Sequence, residues 1–382
     1  MKTITGIGWH GYAVPFRKRF VNAGFTADTR FGLLIFVRTG DGLIGTGEAS
    51  PVGAGSPAEV EGIAAALHKV APRMVDIPLD AADRLIVEGL PAPLAFGLET
   101  ALKDVRGQES GVPLTKLFGG MPTAVPVNAL VVSESPKKAA AEAAAAVASG
   151  FNCIKLKVGK NTLEEDESVI ATVRQAVGPE VLLRVDANQA WSVERAIEAI
   201  QLFSLYKIEY VEQPVKADNI AGMARVREMV RVPLAADESL GSYLDLHRLF
   251  DAGAADIFIV KAARLGGFRK SLLIAKEAME RGHRVVITSS LESGIGIAAA
   301  AHMAAALPPQ PKAHGLATAL LLENDLLDGE WLPAKGFLEV PDKPGLGFKV
   351  DAASLKKYSS GVIGSAGSPV GLEVYLAGYR PS

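Results

Sequence analysis

Five charged residues recur at nearly equal intervals along the chain, each at the end of an apolar run. They are Lys157, Asp186, Glu212, Asp237 and Lys261, separated by 29, 26, 25 and 24 residues. A strand, a helix and two loops occupy a segment of that length, so the spacing predicts consecutive β/α units with a charge at the carboxyl end of each strand. Because such charges are costly to bury unless they are paired or bound to a metal, we interpret the five as an active site.

The three carboxylates favour a cation site. Asp186 lies in Val-Asp-Ala-Asn-Gln-Ala-Trp, Glu212 in Val-Glu-Gln-Pro and Asp237 in Ala-Asp-Glu-Ser, and each follows a β-rich stretch. A single acid before a helix is more often an N-cap, but three at matched spacing are better explained as ligands. Carboxylates with no His or Cys nearby suit a hard cation, so we predict Mg²⁺, with Mn²⁺ as the alternative.

The lysines point to acid–base chemistry. Lys155 and Lys157 share one face of a strand because residues two apart point the same way. A solvated edge strand would explain this pair alone, but not inside a barrel. Repulsion and desolvation should lower the pKa of one lysine towards neutrality, giving a general base, while the second ammonium stays charged. Lys157 and Lys261 would then face opposite sides of a metal-held substrate, which fits proton abstraction next to a carboxylate through an enediolate.

Composition limits the partners of the chain. Its 382 residues carry 40 Lys and Arg against 42 Asp and Glu, a net charge of -2 that argues against nucleic-acid and polybasic membrane partners. We expect a small-molecule carboxylate substrate. Cys153 is the only cysteine, so no intrachain disulfide can form. No apolar run reaches membrane-spanning length, and the start lacks the apolar core of a secretory signal, so we expect a cytoplasmic protein.

The order of the patterns predicts an α/β protein with two parts. Residues 1–124 read as an α+β domain, with alternating strands around a turn at 39–42 and helical patterns at 57–71 and 94–108. Residues 125–325 alternate between strand and helix patterns, which predicts a TIM-type (β/α) barrel with its active site at the carboxyl ends of the strands. Residues 326–382 break this pattern and are expected to return to the first domain.

Eight strands are predicted for the barrel, and the helix after the last strand is weak. The predicted strands are Val125–Leu130, Cys153–Val158, Leu182–Asp186, 208–212, 233–237, 256–261, 284–289 and 314–318.

Several motifs resemble the enolase superfamily, in particular its muconate-lactonizing subgroup, over nearly the whole chain. They are Gly-Thr-Gly-Glu-Ala-Ser-Pro (45–51), Phe-Gly-Leu-Glu-Thr-Ala-Leu-Lys-Asp (96–104), Lys-Leu-Lys-Val-Gly (155–159), the three carboxylate motifs and the lysine at 261. The resemblance implies a modified (β/α)7β barrel, an α+β capping domain completed by the C-terminal segment, and lysine-plus-Mg²⁺ enediolate chemistry. It also implies a homo-oligomer, either a dimer or an octamer. The mandelate-racemase subgroup has a catalytic His on the seventh strand, but Val285–Ser290 contains none.

Within this subgroup, the end of the barrel is most similar to the o-succinylbenzoate synthases of menaquinone biosynthesis. The likeness lies in Ser-Ser-Leu-Glu-Ser-Gly-Ile-Gly (289–296) and in residues 314–325, although His314 stands where that group often has cysteine. Dipeptide epimerases typically carry Asp-x-Asp at the eighth strand, where this chain has Leu-Ala-Thr (316–318). The resemblance implies dehydration of 2-succinyl-6-hydroxy-2,4-cyclohexadiene-1-carboxylate, with Lys157 as base, Lys261 stabilising the enediolate and Lys155 supporting Lys157.

Other polar residues are candidates for supporting this site. Asn188 and Glu238 would hold the metal ligands in place. Ser289, Ser290 and Glu292 would face the substrate, although the serines are equally explained as a helix cap before Gly294. The segment 17–28 falls where this family keeps a specificity loop, but a solvated hairpin tip is the better interpretation of each base at 17–19.

Three alternatives stay open. A muconate-type cycloisomerase or an N-succinylamino acid racemase or epimerase would use the same residues, and racemisation would need both Lys157 and Lys261 as acid–base groups. A Schiff-base aldolase would use one lysine as a nucleophile and would be trapped by borohydride. An enzyme homologue that has lost its activity could serve as a binding protein, but the intact set of five charges argues against this.

Overall fold

The computed structural model describes residues 2–21, 24–86, 89–133, 135–309 and 312–370. An antiparallel sheet with helices packs beside a curled parallel sheet, as the fold prediction requires. The strands are β1 Ile4–Val21, β2 Thr26–Thr39, β3 Ile44–Ala49, β4 Val125–Pro126, β5 Ala129–Val131, β6 Cys153–Lys157, β7 Leu182–Asp186, β8 Ile208–Glu212, β9 Leu234–Ala236, β10 Ile257–Val260, β11 Arg284–Ile287, β12 Phe337–Leu338 and β13 Ser359–Gly367.

The α-helices alternate with the barrel strands after the first domain. They are α1 Pro57–Met74, α2 Leu79–Ile86, α3 Ala92–Ser110, α4 Leu114–Leu117, α5 Pro136–Ala148, α6 Leu163–Val177, α7 Val193–Phe203, α8 Ile220–Met229, α9 Tyr243–Asp251, α10 Ala262–Leu265, α11 Phe268–Glu280, α12 Gly294–Ala306 and α13 Ala352–Lys357. Side-chain caps from Thr162, Ser192 and Ser242 begin α6, α7 and α9, and so fix where the loops above the barrel end.

The first domain is a four-stranded antiparallel sheet in the order β13-β1-β2-β3. The predicted hairpin pairs Val37 with Gly45, and the predicted helical patterns lie within α1 and α3, whereas α2 was not predicted. Strand β13 pairs with β1, so the chain does return to this sheet after the barrel. The domain boundaries at 124/125 and 325/326 stay a prediction, which this pairing supports.

The barrel strands β5 to β11 form one parallel sheet in chain order. Its two edges are joined by parallel bridges from His314 to Val127 and from Gly315 to Thr288. These bridges supply the eighth position of the ring, and Thr318–Leu321 after them is a 3-10 helix rather than an α-helix. The predicted TIM-type (β/α)7β barrel with its α+β capping domain is therefore confirmed.

The limits of the first and last predicted barrel strands were wrong. Val125–Pro126 pairs antiparallel with β12, and the first barrel strand is Ala129–Val131. Pro126 lacks the N–H that a central strand donates, which fits its place outside the main sheet. The predicted strand 314–318 is confined to the two bridging residues, because the chain turns into the 3-10 helix.

Two buried histidines join the parts of the fold. His302 on α12 accepts the Thr115 backbone N–H at Nδ1, and its Nε2 lies 3.1 Å from the Leu346 carbonyl. His314 Nδ1 accepts the Ile287 N–H at 3.0 Å, which ties the ring closure to β11. Both imidazoles are therefore neutral, and burial lowers the pKa of each to about 4.

Acid should destabilise the fold through these two histidines. The unfolded state takes up a proton on each near its ordinary pKa of about 6.5, but the folded state does so only near 4. Stability is therefore lost as the pH falls through this window, by about 2 kcal/mol per histidine at pH 5. In urea unfolding, His302→Gln should lose correspondingly less stability than the wild type between pH 7.5 and pH 5.

The exposed His68 offers the control, since His68→Gln should keep the wild-type dependence on pH. An identical pH dependence for His302→Gln and the wild type would contradict this account.

Candidate active site

The register of the barrel strands brings the predicted residues together. Lys157, at the end of β6, lies opposite Asp186 at the end of β7, which lies opposite Glu212 at the end of β8. Asp237 and Lys261 directly follow β9 and β10. All five predicted charges therefore lie at the carboxyl ends of consecutive strands, as the spacing predicted. Lys157, Asp186 and Lys261 line one cavity, while Glu212 and Asp237 are fully buried beside them.

Each carboxylate is bound to a cation of the protein. Lys155 Nζ lies 2.7 Å from a Glu212 oxygen and 2.8 Å from Asp186 Oδ2. Lys157 Nζ lies 2.7 Å from the same Asp186 oxygen. Lys261 Nζ lies 2.6 Å from Asp237 Oδ2. Lys155 and Lys157 thus share a face of β6, and three ammonium groups neutralise three acids in one place.

Arg264 is a residue of this site that the sequence reasoning missed. Its Nη2 donates to Asp237 Oδ1 at 2.7 Å and to the Asp237 carbonyl at 2.5 Å, and it lines the cavity. It stands three residues after Lys261, about one helical turn away on α10. This spacing from Lys261 is the one feature of the sequence that could have indicated Arg264.

The charges shift one another's pKa in opposite directions. Burial would raise the pKa of Asp186, but Lys155 and Lys157 hold it below its ordinary value. Asp237 is likewise held low against burial by Arg264 and Lys261. Burial raises the pKa of Glu212 to about 8, and the nearby Asp186 adds to this effect. Burial alone would lower the pKa of Lys155, but Asp186 and Glu212 raise it well above its ordinary value, so this ammonium stays charged.

Asn188 and Glu238 lie where a support for the metal ligands would be needed. Asn188 Oδ1 accepts from Lys157 Nζ at 2.8 Å, and its amide donates to Glu238 at 3.1 Å. The Asn188 backbone N–H also donates to Asp186. Gln213, which the sequence reasoning did not single out, accepts the backbone N–H groups of Asp237 and Ser239 and fixes the turn that carries Asp237. The Glu-Gln-Pro motif is the sequence feature that could have indicated Gln213.

The donor set fits a hard divalent cation. Glu212 Oε2 and Glu238 Oε2 are buried oxygens without a hydrogen-bond partner in the structure. Burial and the nearby carboxylate of Asp186 raise the pKa of Glu212 even though Lys155 lies beside it, so a further cation at this place would be favourable. Over the described parts of the chain, no three Asp, Glu, His or Cys side chains are gathered as a ready metal cluster, since the lysines hold the carboxylates. The metal role of Asp186, Glu212 and Asp237 stays a prediction.

A wall of small polar groups faces the lysines. Ser289 and Ser290 line the cavity, and the Ser289 hydroxyl lies 2.5 Å from that of Thr318. Leu291 also lines it, with a φ of 72° that is costly for a residue with a side chain. Glu292 does not line the cavity: its buried carboxylate accepts the Ser290 N–H at 2.5 Å. Its predicted contact with the substrate stays a prediction.

The first domain covers the cavity with apolar groups. Phe20, near the end of β1, and Phe25, just before β2, line it and stack at 5.5 Å between ring centroids. The bases at 17–19 are exposed, and Arg19 pairs with Asp28 at 2.8 Å. The predicted loop therefore contributes aromatic rings, which the sequence reasoning missed, rather than its bases. Residues 22 and 23 of this loop lie outside the described residues.

Across the residues that the structure describes, no helix has the length and apolar character needed to cross a membrane.

Two family models, one for each domain, match this chain. Residues 13–119 match "Mandelate racemase / muconate lactonizing enzyme, N-terminal domain", and residues 138–354 match "Enolase C-terminal domain-like".

Curated relatives include several activities. The chain is 42% identical to an o-succinylbenzoate synthase of Thermobifida fusca over 218 residues, which are 56% of this chain and 66% of that protein. It is 32% identical to an L-Ala-D/L-Glu epimerase of Clostridium acetobutylicum over 88% of this chain and 96% of that protein. It is also 32% identical to muconate cycloisomerase 1 of Pseudomonas putida over 87% of this chain and 92% of that protein.

Solved structures share the whole fold. A muconate lactonizing enzyme from Pseudomonas fluorescens, complexed with muconolactone, has a TM-score of 0.89 at 29% identity and covers 94% of this chain and 99% of its own. A dipeptide epimerase from Cytophaga hutchinsonii, complexed with Mg and the dipeptide D-Ala-L-Val, has a TM-score of 0.85 at 28% identity and covers 95% and 99%. Together with the two family matches, these likenesses establish that the chain belongs to the enolase superfamily, in its muconate-lactonizing-like subgroup, and is an enzyme.

Proposed function

We infer that this enzyme removes the proton α to a carboxylate, and that it acts as an o-succinylbenzoate synthase in menaquinone biosynthesis. The observation that carries the proposal is the placement of Lys157 and Lys261, from strands six and ten of the chain, in one cavity beside buried carboxylates. The substrate would be 2-succinyl-6-hydroxy-2,4-cyclohexadiene-1-carboxylate.

Each lysine has its own part in the reaction. Lys157 acts as the base and takes the ring proton α to the carboxylate, and the electrons of that C–H bond form an enediolate. The charged Lys261 stabilises the enediolate. The bond from the ring to the hydroxyl then breaks, and the hydroxide leaves as water with the proton from Lys157. Lys155, held charged between Asp186 and Glu212, keeps these groups in place.

A bound Mg²⁺ would neutralise the substrate carboxylate and so make its α-proton more acidic. Asp186, Glu212 and Asp237 would hold the ion, and the unpartnered oxygen of Glu212 supports this assignment. A Mg-containing structure of a dipeptide epimerase of the same fold supports it as well.

The wall of the cavity favours the synthase over a dipeptide epimerase. Among the described residues, those of the segments 288–291 and 315–318 that line the cavity are uncharged. A dipeptide carries an ammonium group, which this wall would leave without an anion. A succinyl carboxylate instead suits hydroxyl and backbone N–H donors. The identity of 42% to an o-succinylbenzoate synthase points the same way.

An N-succinylamino acid racemase is the alternative that a specific observation favours. Racemisation needs a base on each face of the α-carbon, and both Lys157 and Lys261 line the cavity. Its substrate would carry the same succinyl group. A muconate-type cycloisomerase would use the same cation site, and the chain is 32% identical to muconate cycloisomerase 1 of Pseudomonas putida.

Replacing the two lysines should separate these activities. In Lys157→Ala, dehydration of the cyclohexadiene acid should fall by about 10²-fold or more, because the base is lost. Lys261→Ala should keep α-proton exchange of an N-succinyl amino acid in D₂O but lose racemisation. Ultraviolet absorption follows the dehydration, and NMR together with polarimetry follows exchange and racemisation.

Lys276, an exposed residue of α11, supplies the matched control, and Lys276→Ala should keep both activities. Full dehydration activity in Lys157→Ala would overturn the proposal. Failure of the wild type on both substrates would do so too.

Removing one acid should weaken cation binding. Glu212→Gln keeps the shape of the side chain but removes its charge, so the Mg²⁺ affinity in calorimetric titration should fall more than about tenfold. EDTA should abolish the activity of the wild type. Glu198→Gln, a change of an exposed acid on α7, should leave the affinity unchanged. Equal Mg²⁺ affinity in Glu212→Gln and the wild type would contradict the assignment.

A further inference from the structure

Two acidic residues of the first domain reach across to the barrel. Glu48 on β3 and Glu99 on α3 belong to motifs that the proposed chemistry does not use. Each carboxylate accepts backbone N–H groups at the start of a barrel helix, Glu48 at α12 and Glu99 at α11. These two helices follow the seventh and sixth barrel strands, whose loops form part of the cavity.

Glu48 is buried and makes a dense set of contacts. Its oxygens accept the Ser293 N–H at 2.9 Å, the Ser293 hydroxyl at 2.6 Å and the Gly296 N–H at 2.9 Å. Tyr12 and Ser50 from its own sheet donate to it as well. A Cβ at position 296 would lie 2.5 Å from the Glu292 Cβ and 3.1 Å from Glu48 Oε2, so Gly296 leaves room for both side chains. The charge therefore sits against the positive end of α12.

The segment that Glu48 holds carries the strained wall of the cavity. Leu291, with its φ of 72°, lies two residues before Ser293. A left-handed conformation is unfavourable for a residue with a side chain and persists only where the surroundings enforce it. Ser293 is fixed from behind by Glu48, so Leu291 and Ser290 are held in position from outside the barrel.

Glu99 has the same relation to the loop after the sixth strand. Its Oε2 accepts the Phe268 N–H at 2.8 Å, and a Cβ at Gly267 would lie 2.0 Å from that oxygen. Gly267 itself has a φ of 124° and connects α11 to the short helix α10. Lys261 directly precedes α10 and Arg264 lies on it, so a shift of α11 would move both residues that hold Asp237.

The two acids are carried by one rigid unit. A Cβ at Gly47 would lie 1.9 Å from the Gly97 carbonyl, so β3 and α3 touch through their backbones. Glu48 follows the first of these glycines directly, and Glu99 follows the second by two residues. The two acids are therefore carried by neighbouring elements of the first domain, and each reaches a different barrel helix.

From these contacts we propose that Glu48 and Glu99 are positioning residues through which the first domain sets two different parts of the active site. Glu48 sets the wall that binds the substrate, and Glu99 sets the loop of Lys261 and Arg264. The assignment of these parts to binding and to chemistry rests on the proposed function. A general structural role would instead affect both parts alike.

Kinetics of near-isosteric variants test the proposal. With the cyclohexadiene acid as substrate, Glu48→Gln should raise KM about tenfold with little change in kcat, and Glu99→Gln should lower kcat about tenfold with little change in KM. Asp351→Asn is the matched control, because the Asp351 carboxylate caps α13 by the same chemistry and accepts from Ala353 and Ser354 rather than from residues 266–270 or 290–297. If Glu48→Gln does not fold, Ser293→Ala removes one of the same hydrogen bonds and should also raise KM.

Wild-type kcat and KM in both variants would overturn the proposal, and so would the same change in both or a like change in Asp351→Asn. Amide hydrogen exchange tests it without any substrate. Glu48→Gln should speed exchange mainly in residues 290–297, and Glu99→Gln mainly in residues 266–270. A wild type that does not turn over the acid would refute the proposed function. If the wild type is inactive, hydrogen exchange still tests the positioning role. Exchange that is unchanged in both variants, or equally faster in both segments, would refute that role.

Discussion

The mutual repulsion of three buried carboxylates at one end of a barrel is the constraint on which the rest of the structure depends. Asp186, Glu212 and Asp237 lie at consecutive strand ends and are at most 1% exposed. Such a group is tolerated only with compensating charge. The protein supplies that charge through Lys155, Lys157, Lys261 and Arg264, yet one oxygen of Glu212 still has no partner. Such a site is suited to bind a cation at the carboxylates, which would free a lysine to act as an acid–base group.

The barrel alone does not complete the site. Phe20 and Phe25 of the first domain line the cavity that the lysines also line. The same domain reaches the helices behind the cavity through Glu48 and Glu99. Strand β13 joins the sheet of the first domain after the chain has left the barrel. Segments from before and after the barrel therefore form this domain together.

The sequence allowed much of the barrel to be predicted because a charge ends each apolar run. The parallel register then places Lys157, Asp186 and Glu212 side by side without further information. The first and eighth strands were placed less well, since two bridging residues between neighbours leave little pattern in a sequence.

Contacts between distant segments could not be predicted in this way. Arg264 lies on α10, after the sixth barrel strand, yet it binds Asp237 after the fifth. Glu292 accepts the Ser290 N–H across Leu291, whose conformation is left-handed. The aromatic cover depends on how the two domains pack. Sequence periodicity reports which face of an element is apolar, but not which distant element covers it.

A crystal structure of the enzyme grown with saturating Mg²⁺ would test the central claim most directly. We expect one ion bound by Asp186, Glu212 and Asp237, with Lys157 and Lys261 released from the carboxylates and turned to opposite sides of the cavity. An ion held by other residues, or the same lysine–carboxylate pairs with no ion at saturating Mg²⁺, would contradict it.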